Sequence, residues 1–136
     1  MADVTVTAAS VRPLGNAIVE RFTASAAIDV GAPVSISGNG TVAAADGSTV
    51  AGGRCIGVMV AVQPNGASTT AAASGEEVDV VTHGRISGCG CVANTPYYVD
   101  DDAGIISDTA GTKSNLVGIG IDTDTLMVRP ELVDLA

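Results

Sequence analysis

Aromatic side chains are almost absent from this chain: Phe22, Tyr97 and Tyr98 are its only aromatics in 136 residues, and it has no tryptophan. A buried aromatic removes about 150–250 Å² from water. A chain that forgoes that burial has a thin core of small β-branched residues and alanine, and has reason to recruit further burial from a neighbouring subunit. Basic residues are scarce as well, with six Lys and Arg against fifteen Asp and Glu, a net charge of −9 and a pI near 4.1. Phosphate affinity comes from clustered Lys and Arg, so nucleic acid is excluded as a partner class. The charge is uneven: residues 1–28 hold Asp3, Glu20, Arg12 and Arg21, which cancel, and the whole −9 lies in the remainder.

Long hydrophobic runs are missing too. The longest, Cys55 to Val62, is far short of the roughly 20 residues a helix needs to cross a bilayer, and the opening Met1-Ala-Asp-Val-Thr-Val-Thr7 lacks the charged start, apolar stretch and cleavage site of a secretory signal. The expectation is a soluble protein made in the cytoplasm, with no membrane partner. Three cysteines form an odd set, and Cys89 and Cys91 are too close for an easy mutual bridge, so a disulfide framework is not expected. No apolar pattern at i, i+3, i+4, i+7 persists, which leaves almost no room for helices.

What is present is a faint internal duplication. Gly31-Ala-Pro33-Val-Ser-Ile36, Gly40-Thr-Val42 and Ile56-Gly57-Val58-Met-Val60 return as Asn94-Thr-Pro96-Tyr-Tyr-Val99, Gly104-Ile-Ile106 and Val117-Gly118-Ile119-Gly-Ile121. Two copies of one short-stranded unit can bury a shared core that neither could bury alone. Gly and Pro interrupt the body at intervals of about 8–12 residues, the spacing of an all-β fold. We therefore expect a small β-barrel or sandwich with an internal pseudo-repeat, its β-domain at residues 28–136, preceded by an extended N-terminal arm at residues 1–27. Strands are predicted at Pro33–Ser37, Gly40–Ala44, Cys55–Val62, Glu77–Thr82, Gly84–Ile86, Tyr97–Asp100, Ile105–Ser107, Leu116–Asp122 and Thr125–Pro130. Val4–Thr7 reads as a further short strand, and Ala17–Phe22 as one strand or a single helical turn. Ser37-Gly-Asn-Gly40 and Asp100–Gly104 serve as hairpin turns, and the small-residue stretch Gln63–Gly75 as an exposed, mobile loop.

Few residues suggest chemistry. His83, the only histidine, could be a base beside Asp79, Ser87 or Cys89, but its place before Gly84-Arg85 reads as a solvated turn. Cys55, Cys89, Cys91 and His83 supply the four ligands a zinc site needs, yet their spacing is not that of a zinc motif, and free thiols usually serve as small hydrophobes. Asp100-Asp101-Asp102 before Gly104, with Asp122 and Asp124 as further oxygens, is reminiscent of a calcium loop but lacks its twelve-residue pattern and reads as an acidic turn. No glycine cluster forms a phosphate cradle. The expectation is no catalytic residue, no cofactor and no metal.

The string Asn94-Thr-Pro96-Tyr-Tyr-Val99-Asp, then Gly104-Ile-Ile-Ser-Asp-Thr109, Leu116-Val-Gly118-Ile-Gly-Ile121 and Leu126-Met-Val128, resembles the latter part of the small capsid decoration, or head cement, proteins of tailed bacteriophages. Ile28-Asp-Val-Gly31-Ala-Pro-Val34, Ile56-Gly57-Val58, Gly75-Glu-Glu-Val78-Asp-Val80 and Gly84-Arg-Ile86 are similar to that family's opening pattern, so the resemblance covers roughly residues 28–130. It implies a non-enzymatic, mostly β virion protein that docks on the capsid exterior against the major capsid protein, often as a homotrimer, and stabilises the shell. In the arm, Val4, Val6, Arg12, Leu14, Arg21 and Phe22 are the candidate partner-binding residues, as strand-pairing and anchor groups; alternatively they complete the chain's own sheet. A fibre or tail module that contacts the host through the Gln63–Gly75 loop shares the fold, but the loop's lack of Tyr and Trp counts against it. An enzyme or small-ligand module would need a polar pocket of converging titratable groups.

Overall fold

The computed structural model describes residues 3–7, 10–63, 70–113 and 115–131. They form thirteen strands: β1 (Thr5–Val6), β2 (Pro13–Ala24), β3 (Ile28–Asp29), β4 (Pro33–Ile36), β5 (Thr41–Ala44), β6 (Cys55–Gln63), β7 (Ala71–Ala72), β8 (Glu77–Ile86), β9 (Cys89–Gly90), β10 (Pro96–Val99), β11 (Ile106–Ser107), β12 (Leu116–Gly120) and β13 (Leu126–Glu131). The fold is all-β and sandwich-like, as the residue pattern predicts. Nine strands make one mixed sheet in the order β11-β10-β12-β13-β8-β2-β5-β4-β6, and a further β8–β6 pairing joins β8, β2, β5, β4 and β6 into a ring of hydrogen-bonded neighbours. The long strand β8 connects the halves. Its first part, Glu77–Val81, lies between β2 and β6, and its last part, Gly84–Ile86, between β2 and β13.

The duplication is built into the hydrogen bonding. In the first unit β4 lies between β5 and β6, and in the second β10 lies between β11 and β12. The registers agree residue for residue. Pro33 faces Val58 and Val34 faces Gly57, with a register shift before Ser35 meets Cys55; Pro96 faces Ile119 and Tyr97 faces Gly118, with a shift before Tyr98 meets Leu116. The loop before each central strand is also the same. Gly31 N–H donates to the Met59 carbonyl (2.8 Å) and Asn94 N–H to that of Gly120 (2.8 Å), while Met59 N–H donates back to Ala32 (3.0 Å) and Gly120 N–H to Thr95 (2.9 Å).

Two backbone requirements account for the repeated residue types. Gly31 has φ +91° and Asn94 φ +60°, the left-handed region that Gly and Asn tolerate best. The first unit needs Gly rather than Asn because the Val6 side chain lies where a Cβ on Gly31 would stand. At the bulge, a Cβ on Gly57 would meet the Val81 carbonyl oxygen, and one on Gly118 that of Met127, so each unit uses glycine to let the next strand come close.

The core is made of small side chains. Ile28, Met59, Ile86, Leu126 and a run of valines are its largest fully buried members, and Tyr97 is its one buried aromatic among the described residues. Tyr97 Oη accepts the Val92 N–H (2.9 Å), so its polar end is satisfied. Asn115, buried between the units, donates from Nδ2 to the Gly53 carbonyl (2.7 Å) and ties the second unit to a loop of the first.

Several expectations meet a different arrangement. Glu77–Thr82 and Gly84–Ile86 are one continuous strand, because Gly84 (φ +122°) does not break β8 but makes room for Ala17 of β2. Within residues 1–27, β1 pairs with β9, and residues 13–24 form β2, hydrogen-bonded to β8 along one edge. Of the two readings open for Ala17–Phe22, the strand is the one found. Of the Gln63–Gly75 loop, residues 64–69 lie outside the described residues, while Ala71–Ala72 pair with β3 as β7.

Candidate interaction surface

β2 starts where Pro13 fixes the backbone and runs twelve residues to Ala24. One edge is paired with β8 from Pro13 to Thr23, with register shifts between Leu14 and Ile18 and between Ile18 and Val19. Its other edge meets β5 only at Thr23 and Ala24. From Pro13 to Phe22 that outer edge has no strand partner among the described residues. A bare edge of this length presents a row of unpaired N–H and C=O groups. In a regular strand Ile18 and Val19 would point to opposite faces, so one of them would be buried. The bulge and the free edge instead leave both outside, 55% and 40% exposed.

The six arm residues singled out by the sequence occupy three environments. Val4 is buried in the core, with its N–H donating to Ile106 (2.7 Å), and Val6 and Phe22 pack against that core. Arg12 and Arg21 are exposed. Arg21 Nε donates to Asp79 Oδ1 at 3.2 Å, a surface pair worth about 1 kcal/mol at most. Leu14 is half-buried and lies opposite Arg85 of β8. Ile18 and Val19 were not singled out, because their exposure depends on a bulge that no local pattern announces.

The residues considered for chemistry are separated or already engaged. His83 is exposed on β8, opposite Ile18. The three thiols are buried and unbridged. Cys55 Sγ donates to the Gly57 carbonyl (3.2 Å), and Cys91 Sγ lies 3.2 Å from the carbonyls of both Asp122 and Thr125. Burial pushes the Cys55 and Cys89 thiols up to about 12, and raises that of Cys91. In the acidic turn, Asp100 accepts the Asp102 N–H (3.0 Å) and Asp101 accepts the N–H and O–H of Thr112 (2.7 and 2.8 Å). These carboxylates shape the turn. Among the described residues no group of three or more His, Cys, Asp or Glu is placed to hold a metal ion.

Two of the depressions on the surface are lined by described residues. One, of about 360 Å³, is bounded by Ile36, Ala51, Arg54 and Ile56. The other, of about 180 Å³, lies under β1, where Val4 and Val6 cross between Gly31 and Ile106. The first has largely apolar walls and the second a mixed lining that includes Asp29; what the surface around β2 offers chemically is a strand edge and apolar side chains. No family model matches the chain, and no curated protein is similar to it.

Proposed function

We propose that this chain is a structural virion protein, a capsid decoration protein that docks on the outer face of an assembled shell against the major capsid protein and resists its separation. The observation that carries this reading is the free outer edge of β2, bearing exposed Ile18 and Val19. An extended segment of a shell subunit can add to such an edge, its main-chain groups supplying affinity and the side chains the register. Covering Ile18 and Val19, each about half exposed, contributes roughly 1 kcal/mol apiece at 25 cal/mol per Å². That is modest for one site, but symmetry repeats it over the shell, and repeated contacts add up to a large resistance. The resemblance in the sequence supports the same reading, since it spans both structural units.

The test uses undecorated expanded capsids and the full-length chain in a co-sedimentation assay. Saturable binding at a fixed number of sites is expected, with Ile18→Lys/Val19→Lys weakening it about tenfold or more, the equivalent of about 1.4 kcal/mol or more. Removing the first 27 residues would delete a strand of the chain's own sheet, so surface substitutions on β2 are the cleaner perturbation. Absence of saturable binding by the unaltered chain would end the proposal.

A further inference from the structure

The hairpin that joins β4 to β5 turns through Gly38, Asn39 and Gly40, all three exposed. Its base is pinned. Ser37 N–H donates to the Thr41 carbonyl (2.9 Å), and the hydroxyls of Ser25, Ser37 and Thr41 form a chain (2.6 and 3.2 Å) that ties the turn to the residue following β2. The tip is not held. Neither the Asn39 carboxamide nor the Gly40 N–H makes a hydrogen bond with a described residue, and nothing lies within 4 Å of the Cβ position of Gly40.

An asparagine followed by glycine carries its own nucleophile. The main-chain nitrogen of the glycine can bond to the asparagine Cγ to close a five-membered ring, and with no Cβ beside that nitrogen the approach is unhindered. The other described asparagines lack this opening. Asn16 precedes Ala17 inside β2, Asn94 precedes the β-branched Thr95, and Asn115 is 1% exposed with its carboxamide donating to the Gly53 carbonyl. Asn65-Gly66 repeats the dipeptide but lies outside the described residues.

We propose that Asn39-Gly40 is a modification site at which the chain converts its own turn to isoaspartate, with water as the only co-reactant. Gly40 N gives its proton to solvent and bonds to Asn39 Cγ; the Cγ–Nδ2 bond breaks, and Nδ2 takes up a proton and leaves as ammonia. Water then opens the succinimide. Breaking the new N–Cγ bond gives aspartate, whereas breaking the bond between the Asn39 main-chain carbonyl carbon and Gly40 N gives isoaspartate, whose main chain runs through Cβ and Cγ. Either product adds one negative charge. Isoaspartate also lengthens the main chain of a turn whose ends are pinned, which loosens the neighbouring Ile36–Val42 pairing and, through β5, the pairing to Thr23 and Ala24 of β2.

Incubating the folded full-length chain in mildly alkaline buffer, then cleaving it with trypsin for mass spectrometry, reads each asparagine separately, because cuts after Arg21, Arg54, Arg85 and Lys113 place all five on different fragments. The fragment Phe22–Arg54 is expected to gain the mass of an NH-to-O exchange and to split into isoaspartate and aspartate forms. Its conversion should run about tenfold or more faster than at Asn16, Asn94 or Asn115, the equivalent of about 1.4 kcal/mol in the barrier, and Gly40→Ala should slow it by about the same factor. In an Asn65→Gln background, the singly modified fraction collected by ion exchange should melt below Asn39→Asp, which has the same charge on an unaltered main chain. An intact Asn39 in the folded chain, conversion no faster than at Asn94, a Gly40→Ala rate equal to that of the unaltered chain, or a modified fraction as stable as Asn39→Asp would each overturn the proposal, whether or not the chain binds shells.

Discussion

Replacing the bulge glycine by alanine, in either unit, tests whether the duplicated geometry dictates the duplicated sequence. At Gly118 an added Cβ would meet the Met127 carbonyl oxygen and come within 3.2 Å of Val128 Cα; at Gly57 it would meet the Val81 carbonyl oxygen and come within 2.8 Å of Val80 Cγ1. A backbone oxygen in a paired strand cannot turn aside as a side chain can, so the neighbouring strand must shift. Overpacking of this kind costs about 1–3 kcal/mol, and contact with backbone places it near the upper end. Alanine returns about 0.5–1 kcal/mol by reducing the freedom of the unfolded chain. The net expectation is a loss of about 2 kcal/mol at each site, or roughly 6–10 °C in Tm for a chain of this size. Gly40→Ala is the comparison, since Gly40 has φ +78° and nothing within 4 Å of its Cβ position. It should lose only the left-handed penalty, about 1 kcal/mol. Denaturant unfolding at constant m measures all three. If Gly57→Ala and Gly118→Ala cost no more than Gly40→Ala, close strand approach is not what holds glycine at the bulge.

Other consequences follow from particular contacts. Asn115→Ala removes the donor to the Gly53 carbonyl, which keeps the Cys55 N–H as a partner (3.0 Å), so a loss of about 1–3 kcal/mol in denaturant unfolding is expected; an unchanged midpoint would mean that the two units are not joined there. With Cys55 and Cys89 pushed up to about 12, a thiol reagent at pH 8 should label the folded chain negligibly at these sites and all three cysteines after denaturation; rapid labelling of either site in the folded state would contradict their burial. The Ser48 O–H and N–H hold the Asp46 carboxyl below its ordinary 3.8. A carboxyl lowered on folding adds stability above its unfolded pKa and loses it as pH falls through the folded value. Below about pH 4, thermal midpoints of the unaltered chain should therefore fall more steeply than those of Asp46→Asn, and parallel curves would refute the assignment.

The parts of the fold legible in the sequence are those set by backbone geometry. Gly31 and Asn94 mark a left-handed turn, Gly57 and Gly118 a close strand approach, and Pro33 and Pro96 the start of each central strand. Such constraints do not depend on what packs nearby, so they survive in two copies whose other residues have diverged. What was hidden depends on partners distant in sequence. Gly84 reads locally as a break, and only the approach of Ala17 gives it another role. Strands β3, β7 and β9 are two residues each, defined by the strand they meet and not by any pattern of their own. The surface was the least legible. Ile119 and Val58 look alike in sequence, and only the completed sheet leaves one half-buried and the other wholly buried. Ile18 and Val19 owe their joint exposure to a bulge and an unpaired edge.

The account turns on a scaffold that acts by contact with other proteins through the outer edge of β2. A cryo-electron microscopy reconstruction of expanded capsids saturated with the chain tests this most directly. The account predicts density at fixed symmetry positions outside the shell, with the Pro13–Phe22 edge laid against a capsid segment and Ile18 and Val19 covered. Shells that stay bare at saturating protein, or chains bound with that edge turned to solvent, would contradict it.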